Sequence, residues 1–298
     1  MHHFPRIAAV LSVLLLLTSA PPLAAQVAQV EEDEYAETPT DLGELLADVP
    51  DSDAPSLSYL RHETPTRDKT LLLSDQVAFE DSTLAVSHAM IVLDASGEVD
   101  GVFHRRTRYS SNGELIRRDV RNDGRDQSET RSLIPDDETY LLTRTFASVH
   151  APGVTKTDQE SLTPIHESAI PNDWVPIAYA YHLRHGHTSF VVRTQEWGSD
   201  SLLVHYVEDI GVETVEVAGV EKAAHVLMVH ITLEPLPGST RDIDGWDGIH
   251  LQEYAFLNGA TFQTRRESGD MTLEYLPATA EETELLLESL PPLDQPED

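Results

Sequence analysis

Turn-forming pairs recur along this chain at hairpin spacing, each between segments that alternate apolar and polar residues. The clearest are Asn112-Gly113, Asn122-Asp123-Gly124, Asn258-Gly259 and Ser268-Gly269-Asp270. Asn-Gly pairs readily take the positive φ angles of tight hairpin turns. The spacing predicts strands over 76–81, 86–94, 99–109, 114–121, 127–133, 139–148, 188–197, 201–209, 212–218, 223–233, 250–257, 260–267 and 271–276. In 223–233, Leu227, Val229, Ile231 and Leu233 share one face. In 201–209, Leu202, Val204 and Tyr206 share a face and His205 points the other way. No segment shows the strand–helix alternation of a parallel α/β fold. The expected fold is mainly β: a curved antiparallel sheet that curls into an open half-barrel, with a two-sheet sandwich as the alternative. The long connection 149–172, with Pro152, Pro164 and Pro171, splits the strands into two runs.

Two helices interrupt the strands. Residues 173–185 read as one buried helix, with Asp173 suited to the N-cap, Pro176 in the first turn and Gly186 just past the end. Trp174, Ile177, Ala178 and Tyr181 lie on one face, and Val175, Tyr179 and Leu183 lie around the others. A helix apolar on all sides is expected to be covered on all sides. A short C-terminal helix is expected over 280–290, capped by Thr279 with Glu282 at box spacing, docked through Leu285, Leu286 and Leu287, and stopped by Pro291.

Residues 1–25 read as a signal peptide. Arg6 supplies the basic start, Ile7 to Leu17 the apolar run, and Pro21-Pro22-Leu23-Ala24-Ala25 a small-residue cleavage site before Gln26. That run is too short for a good membrane span. The expected product is exported, periplasmic or extracellular, and not membrane-spanning after cleavage. Residues 26–56 read as an acidic disordered arm, because the block Glu31-Glu32-Asp33-Glu34 and three prolines cannot bury enough apolar surface to order themselves. A single β-rich domain is expected over 57–290, and a tail over 291–298. The chain has no cysteine, which excludes disulfides and thiol chemistry. Its 52 acidic and 20 basic residues give a net charge of −32, which repels nucleic acid and anionic membrane surfaces. Lys69, Lys156 and Lys222 are the only lysines, and such an acid-rich, lysine-poor surface suits a salty medium.

Two stretches carry a resemblance. One runs from Ile170-Pro171-Asn172-Asp173-Trp174 through Tyr181-His182-Leu183-Arg184-His185-Gly186. The other is Gly211-Val212-Glu213-Thr214-Val215-Glu216-Val217-Ala218-Gly219. Together they resemble segments of an uncharacterised family of exported bacterial proteins that is similar in architecture to the periplasmic lipoprotein carriers LolA and LolB. The likeness covers residues 75–277 and is most specific over 170–232. It implies a half-barrel with helices across its mouth and an apolar groove for acyl chains, and it brings no catalytic residues. The chain lacks the lipobox cysteine of anchored LolB-like proteins.

Three groups are candidate sites. Trp174, Tyr179 and Tyr181 on the helix could face Phe190, Tyr206, Tyr254, Phe256 and Phe262 on strands, either lining a groove for an apolar ligand or forming plain core. His182, His185 and His187 fit H-x-x-H-x-H and could bind zinc or copper, although a helix C-terminus favours solvated histidines for dipole reasons alone. The loop Asp242-Ile243-Asp244-Gly245-Trp246-Asp247-Gly248 offers three carboxylates for calcium, with Glu253 twelfth from Asp242 but Trp246 wrong at the fifth place; a solvated hairpin loop is the alternative. There is no G-x-S-x-G, no H-E-x-x-H and no P-loop. The leading expectation is an exported, non-catalytic protein that needs no cofactor and binds a lipid or another apolar or amphiphilic small molecule, or assists envelope assembly. The alternatives are a metal-dependent hydrolase built on the three histidines and an adaptor whose acidic arm holds a basic partner. The oligomeric state is not legible in the sequence.

Overall fold

Antiparallel pairing dominates the computed structural model. It describes residues 35–46, 56–64, 69–80, 83–148, 150–151, 153–217, 220–239, 246, 248–257, 259, 261–268, 271–274, 276–291 and 293. The side chains of 56–64, 79–80, 217, 262–263, 271–274 and 276–277 are outside that description. So are the expected signal peptide and most of the 242–248 loop.

The described chain starts with β1 (Ala36–Glu37) and α1 (Leu42–Leu46). A run of strands follows: β2 (Ser56–Thr64), β3 (Lys69–Glu80), β4 (Thr83–Leu93), β5 (Val99–Tyr109), β6 (Leu115–Gly124), β7 (Gln127–Asp136), β8 (Thr139–Ser148) and β9 (Thr155–Leu162). After β10 (Ile170–Pro171) and a 3₁₀ turn at Asn172–Trp174 comes α2 (Val175–Arg184). The second run is β11 (Ser189–Gln195), β12 (Ser201–Val217), β13 (Val220–Pro235), β14 (Ile249–Ala255), β15 (Thr261–Ser268) and β16 (Met271–Glu274). β17 (Leu276–Pro277) and α3 (Ala280–Ser289) complete it.

The strands form two sheets. A nine-stranded sheet has the order β17-β2-β3-β4-β5-β6-β7-β8-β9, and an eight-stranded sheet runs β1-β11-β12-β13-β14-β15-β16 with β10 also beside β11. Both orders are open, so neither sheet closes into a barrel among the described residues. Pairing is antiparallel except where β1 and β10 meet β11. The division falls in the connection 149–172 that the sequence marks. The mainly antiparallel β class, the buried helix and the short C-terminal helix are all as the sequence leads one to expect.

α2 is covered by both sheets. Ile177, Ala178 and Tyr179 are 1 %, 0 % and 0 % exposed, and they share one cluster with Val86, Tyr109 and Leu133 of the larger sheet and Phe190, Val207 and Val229 of the smaller. Fully burying a side chain such as Ile177 stabilises the fold by about 1.5–3 kcal/mol. The opposite face of β4 carries Ala89, Ile91 and Leu93, on which α3 docks through Leu286. Thr279 and Glu282 cap α3 reciprocally, whereas Leu287 is 52 % exposed and does not dock.

Five details depart from the sequence reading. β2 and β9 were not signalled by clean alternation. Segments 201–209 and 212–218 are one strand, broken by a register shift between Asp209 and Gly211, where Gly211 takes φ 137°. Asn122, Asp123 and Gly124 lie within β6, and the bend falls on Arg125 and Asp126. Asp173 does not cap α2; Trp174 holds the N-cap position without a side-chain bond, because the Asp173 carboxylate is engaged elsewhere. Part of the expected arm is folded: β1 pairs with β11, and Leu42 and Leu45 are 1 % and 0 % exposed in the main core. Tyr35–Asp298 forms one compact unit. No helix among the described residues is long and apolar enough to cross a membrane.

Candidate functional site

The aromatic residues do not converge on one groove. Trp174, Tyr179 and Phe190 belong to the main core, with Tyr181 packed against it. Trp174 meets Tyr109 edge-on at 5.2 Å, and Tyr179 meets Phe190 at 5.7 Å. Tyr206 sits in a separate cluster with Leu202 and Val204, edge-on to Tyr35 at 5.6 Å. Tyr254 and Phe256 form a third group with Ala224 and Leu73. The side chain of Phe262 lies outside the described residues. The cause is strand alternation: Tyr206 neighbours the core residue Val207, so it must face the other way. The rings of Trp174, Tyr179 and Phe190 therefore pack in the core and do not line one common groove with Tyr206, Tyr254 and Phe256.

The three histidines are brought together by the end of α2. Gly186 (φ 73°) donates from N–H to Leu183 O, and His187 N–H donates to His182 O, the paired bonds of a Schellman motif. That fold-back sets His187 Nδ1 2.8 Å from His182 Nδ1. Thr38 Oγ1 donates to Val191 O at 2.6 Å, so the 2.8 Å contact between Thr38 Oγ1 and His182 Nε2 must use the His182 proton. His182 Nδ1 then accepts from His187. Burial, with His187 and His185 adding to it, lowers the His182 pKa to about 3. Both His182 nitrogens are thus committed, and the three rings do not form a three-nitrogen metal site. No group of three His, Asp or Glu side chains among the described residues is arranged to hold a metal ion. In the 242–248 loop only Trp246 and Gly248 are described; Glu253 lies mid-strand in β14 opposite Leu227, facing the core.

A buried polar cluster surrounds Asp173. Its Oδ2 accepts from Thr107 Oγ1 at 2.8 Å and Tyr109 Oη at 3.2 Å, while Arg105 Nη2 lies 2.9 Å from Oδ1. Burial alone would raise the Asp173 pKa, but Arg105, Arg118 and the two hydroxyls outweigh it and hold the carboxyl below its ordinary value. Next to it, Arg118 Nη2 pairs with Glu196 Oε1 at 2.6 Å, and Asn172 Nδ2 donates to Glu196 Oε2 at 3.2 Å. Besides Asp173 Oδ1, which keeps only its ion pair with Arg105, four polar atoms of this neighbourhood are buried without a hydrogen-bond partner: Asn172 Oδ1, Trp174 Nε1, Trp197 Nε1 and Arg105 Nε. Each such atom leaves a desolvation cost of about 1–3 kcal/mol unmet by the protein itself. Trp197 stacks edge-on against Tyr140 at 4.6 Å, giving the cluster an aromatic border. The alternation Arg105, Thr107, Tyr109 on one face of a strand was the signal available in the sequence.

A second buried set centres on Tyr179 of α2. Tyr179 Oη is 2.9 Å from His205 Nδ1, and burial lowers the His205 pKa to about 4. Glu253 lies near Tyr179 and Asp75; burial, reinforced by Asp75, raises its pKa to about 7. Asp75 also pairs with His88 Nδ1 at 2.6 Å across β3 and β4. No protein-family model, curated protein or solved structure matches the chain.

Proposed function

We propose that this is an exported, non-catalytic binding protein for an amphiphilic small molecule. The reading is carried by one observation: four buried polar atoms, on Asn172 and Trp174 of the turn and on Arg105 and Trp197 around it, have no partner within the protein, and Trp197 also pairs edge-on with Tyr140. Two indole N–H groups and a guanidinium N–H donate, and Asn172 Oδ1 accepts, which suits a hydroxyl or carbonyl head group. The aromatic border suits an apolar body. Asp173 is a poor general base here, because Arg105, Thr107 and Tyr109 already satisfy it. Export rests on the leader sequence, and the LolA/LolB resemblance supports a carrier role of the same class.

Intrinsic fluorescence tests the reading, since Trp174 and Trp197 are two of three tryptophans. Titration with oleate and with lysophosphatidylcholine should shift the emission, and W197F should remove most of the change. Native mass spectrometry of the purified protein should find a bound amphiphile. No shift with either probe, together with no co-purifying molecule, would rule the proposal out.

A further inference from the structure

The face of the nine-stranded sheet away from α2 carries a small cavity of about 120 Å³, lined by Arg117, Asp119, Arg121, Thr130, Ser132, Thr143 and Thr145, with Leu293 at its rim. Register explains the lining. Asp119 pairs across to Ser132 and on to Thr143, and Arg121 pairs to Thr130 and on to Thr145, so two cross-strand rows point the same way. Arg131 borders the cavity through its main chain, since its cross-strand neighbour is Val120 and its guanidinium turns to Glu129.

The hydrogen-bond inventory of this cavity is lopsided. Arg117 Nε donates to both Asp119 oxygens at 2.8 Å, and Arg121 Nε donates to Asp123 Oδ2 at 2.7 Å. Those bonds orient each guanidinium sideways and leave the Nη donors of both without an acceptor among the described residues. Among the described residues the hydroxyls of Thr130 and Ser132 have no partner either. Thr143 Oγ1 accepts from Gln159 Nε2 at 3.3 Å, so its own proton remains available. Asp119, the one carboxylate among the described lining residues, is already occupied. Donors outnumber acceptors, and a ligand that fits must bring acceptors. Charge agrees: this face carries Arg106, Arg108, Arg117 and Arg121 against Asp119 and Asp123, in a chain of net charge −32. The space, about 120 Å³, accommodates a tetrahedral oxyanion.

The geometry points to an oxyanion-binding site of sulfate or phosphate size on the outer face of β6–β8, held by Arg117, Arg121, Thr130 and Ser132. It is separate from the amphiphile site, and either can fail alone. Isothermal titration of the full chain with inorganic sulfate and inorganic phosphate, at ionic strength matched with chloride, tests it. Saturable binding is expected, weakened roughly tenfold or more by R121Q and partly restored by R121K. D119N should tighten it, because Asn still accepts from Arg117 Nε while removing a negative charge; a purely structural role for Asp119 would not do so. Dextran sulfate separates sources of the same chemistry: binding much tighter than inorganic sulfate would mark an esterified polymer, and equal binding a free ion. No saturable binding, or binding unchanged by both R121Q and D119N, overturns the site. So does binding that emerges only after Asp294, Glu297 and Asp298 are all neutralised, which would make the chain's own carboxylates the occupant.

Discussion

Gly113 shows how much one residue can hold. Its φ is 85°, and a Cβ there would lie 2.9 Å from both Leu42 Cβ and Trp174 Cη2. The hairpin between β5 and β6 therefore presses backbone against the tryptophan that leads into α2. Gly97 has nearly the same φ, 83°, with nothing within 4 Å of its Cβ position. G97A should cost about 1 kcal/mol from backbone strain alone, and G113A about 2–4 kcal/mol from strain plus overlap. Urea melts of the two variants separate the terms; equal losses would mean that the Trp174 contact is soft. Glu253 offers the second test at this scale. Its folded pKa of about 7 lies above the ordinary 4.5, so its penalty is absent below pH 4.5 and complete once pH rises past about 7. E253Q should stabilise the protein by about 1–3 kcal/mol at pH 8 and by little at pH 4.5. The Asn112-Gly113 turn was legible from residue type alone. Glu253 was not, because alternation says only that it opposes Tyr254, whereas its pKa is raised by burial and by Asp75, which arrives from β3.

Among the elements, strands with both alternation and a turn at each end were legible, and those lacking one of these were not. β9 reads Thr-Lys-Thr-Asp-Gln-Glu-Ser-Leu, an edge strand with Leu162 as its only buried residue, so no apolar period exists to detect. The bulge in β12 imitates a turn in sequence because it, too, places a glycine, Gly211, at a positive φ, here 137°. Composition hides the folded part of 26–56 for a related reason. Composition averages over 26–56, whereas Leu42 and Leu45 are two apolar residues placed where α2 and the sheets leave a gap. Arg184 reinforces them, donating from Nη2 to Leu45 O at 3.1 Å. L45A should therefore cost about 2–4 kcal/mol, although the residue lies in a segment of tether-like composition. L287A, on the exposed side of α3, should change stability by less than about 0.5 kcal/mol. Thermal melts of the two variants decide whether α1 is part of the folding unit; a negligible loss for L45A would return it to the arm.

At the scale of the whole molecule, buried ionisable groups set opposed slopes against pH. His182 and His205 are neutral in the fold, with pKa values lowered to about 3 and about 4 from 6.5. Their stabilising contribution is intact above pH 6.5 and is lost as pH falls, because the unfolded chain takes up protons that the folded one refuses. Glu253 works the other way across pH 4.5–7. Between pH 6.5 and 4.5 the two histidines together outweigh the single carboxyl, by a net of about 2 kcal/mol. Asp173 adds to the acid side, since its lowered pKa makes its protonation unfavourable in the fold. Stability measured by chemical denaturation should therefore peak near neutrality and decline toward pH 4.5. In H205N the decline should be shallower, with the Tyr179 Oη contact retained by the new amide. A profile that climbs steadily as pH falls would mean that carboxylate self-repulsion in this −32 chain, rather than its buried imidazoles, governs the acid limb.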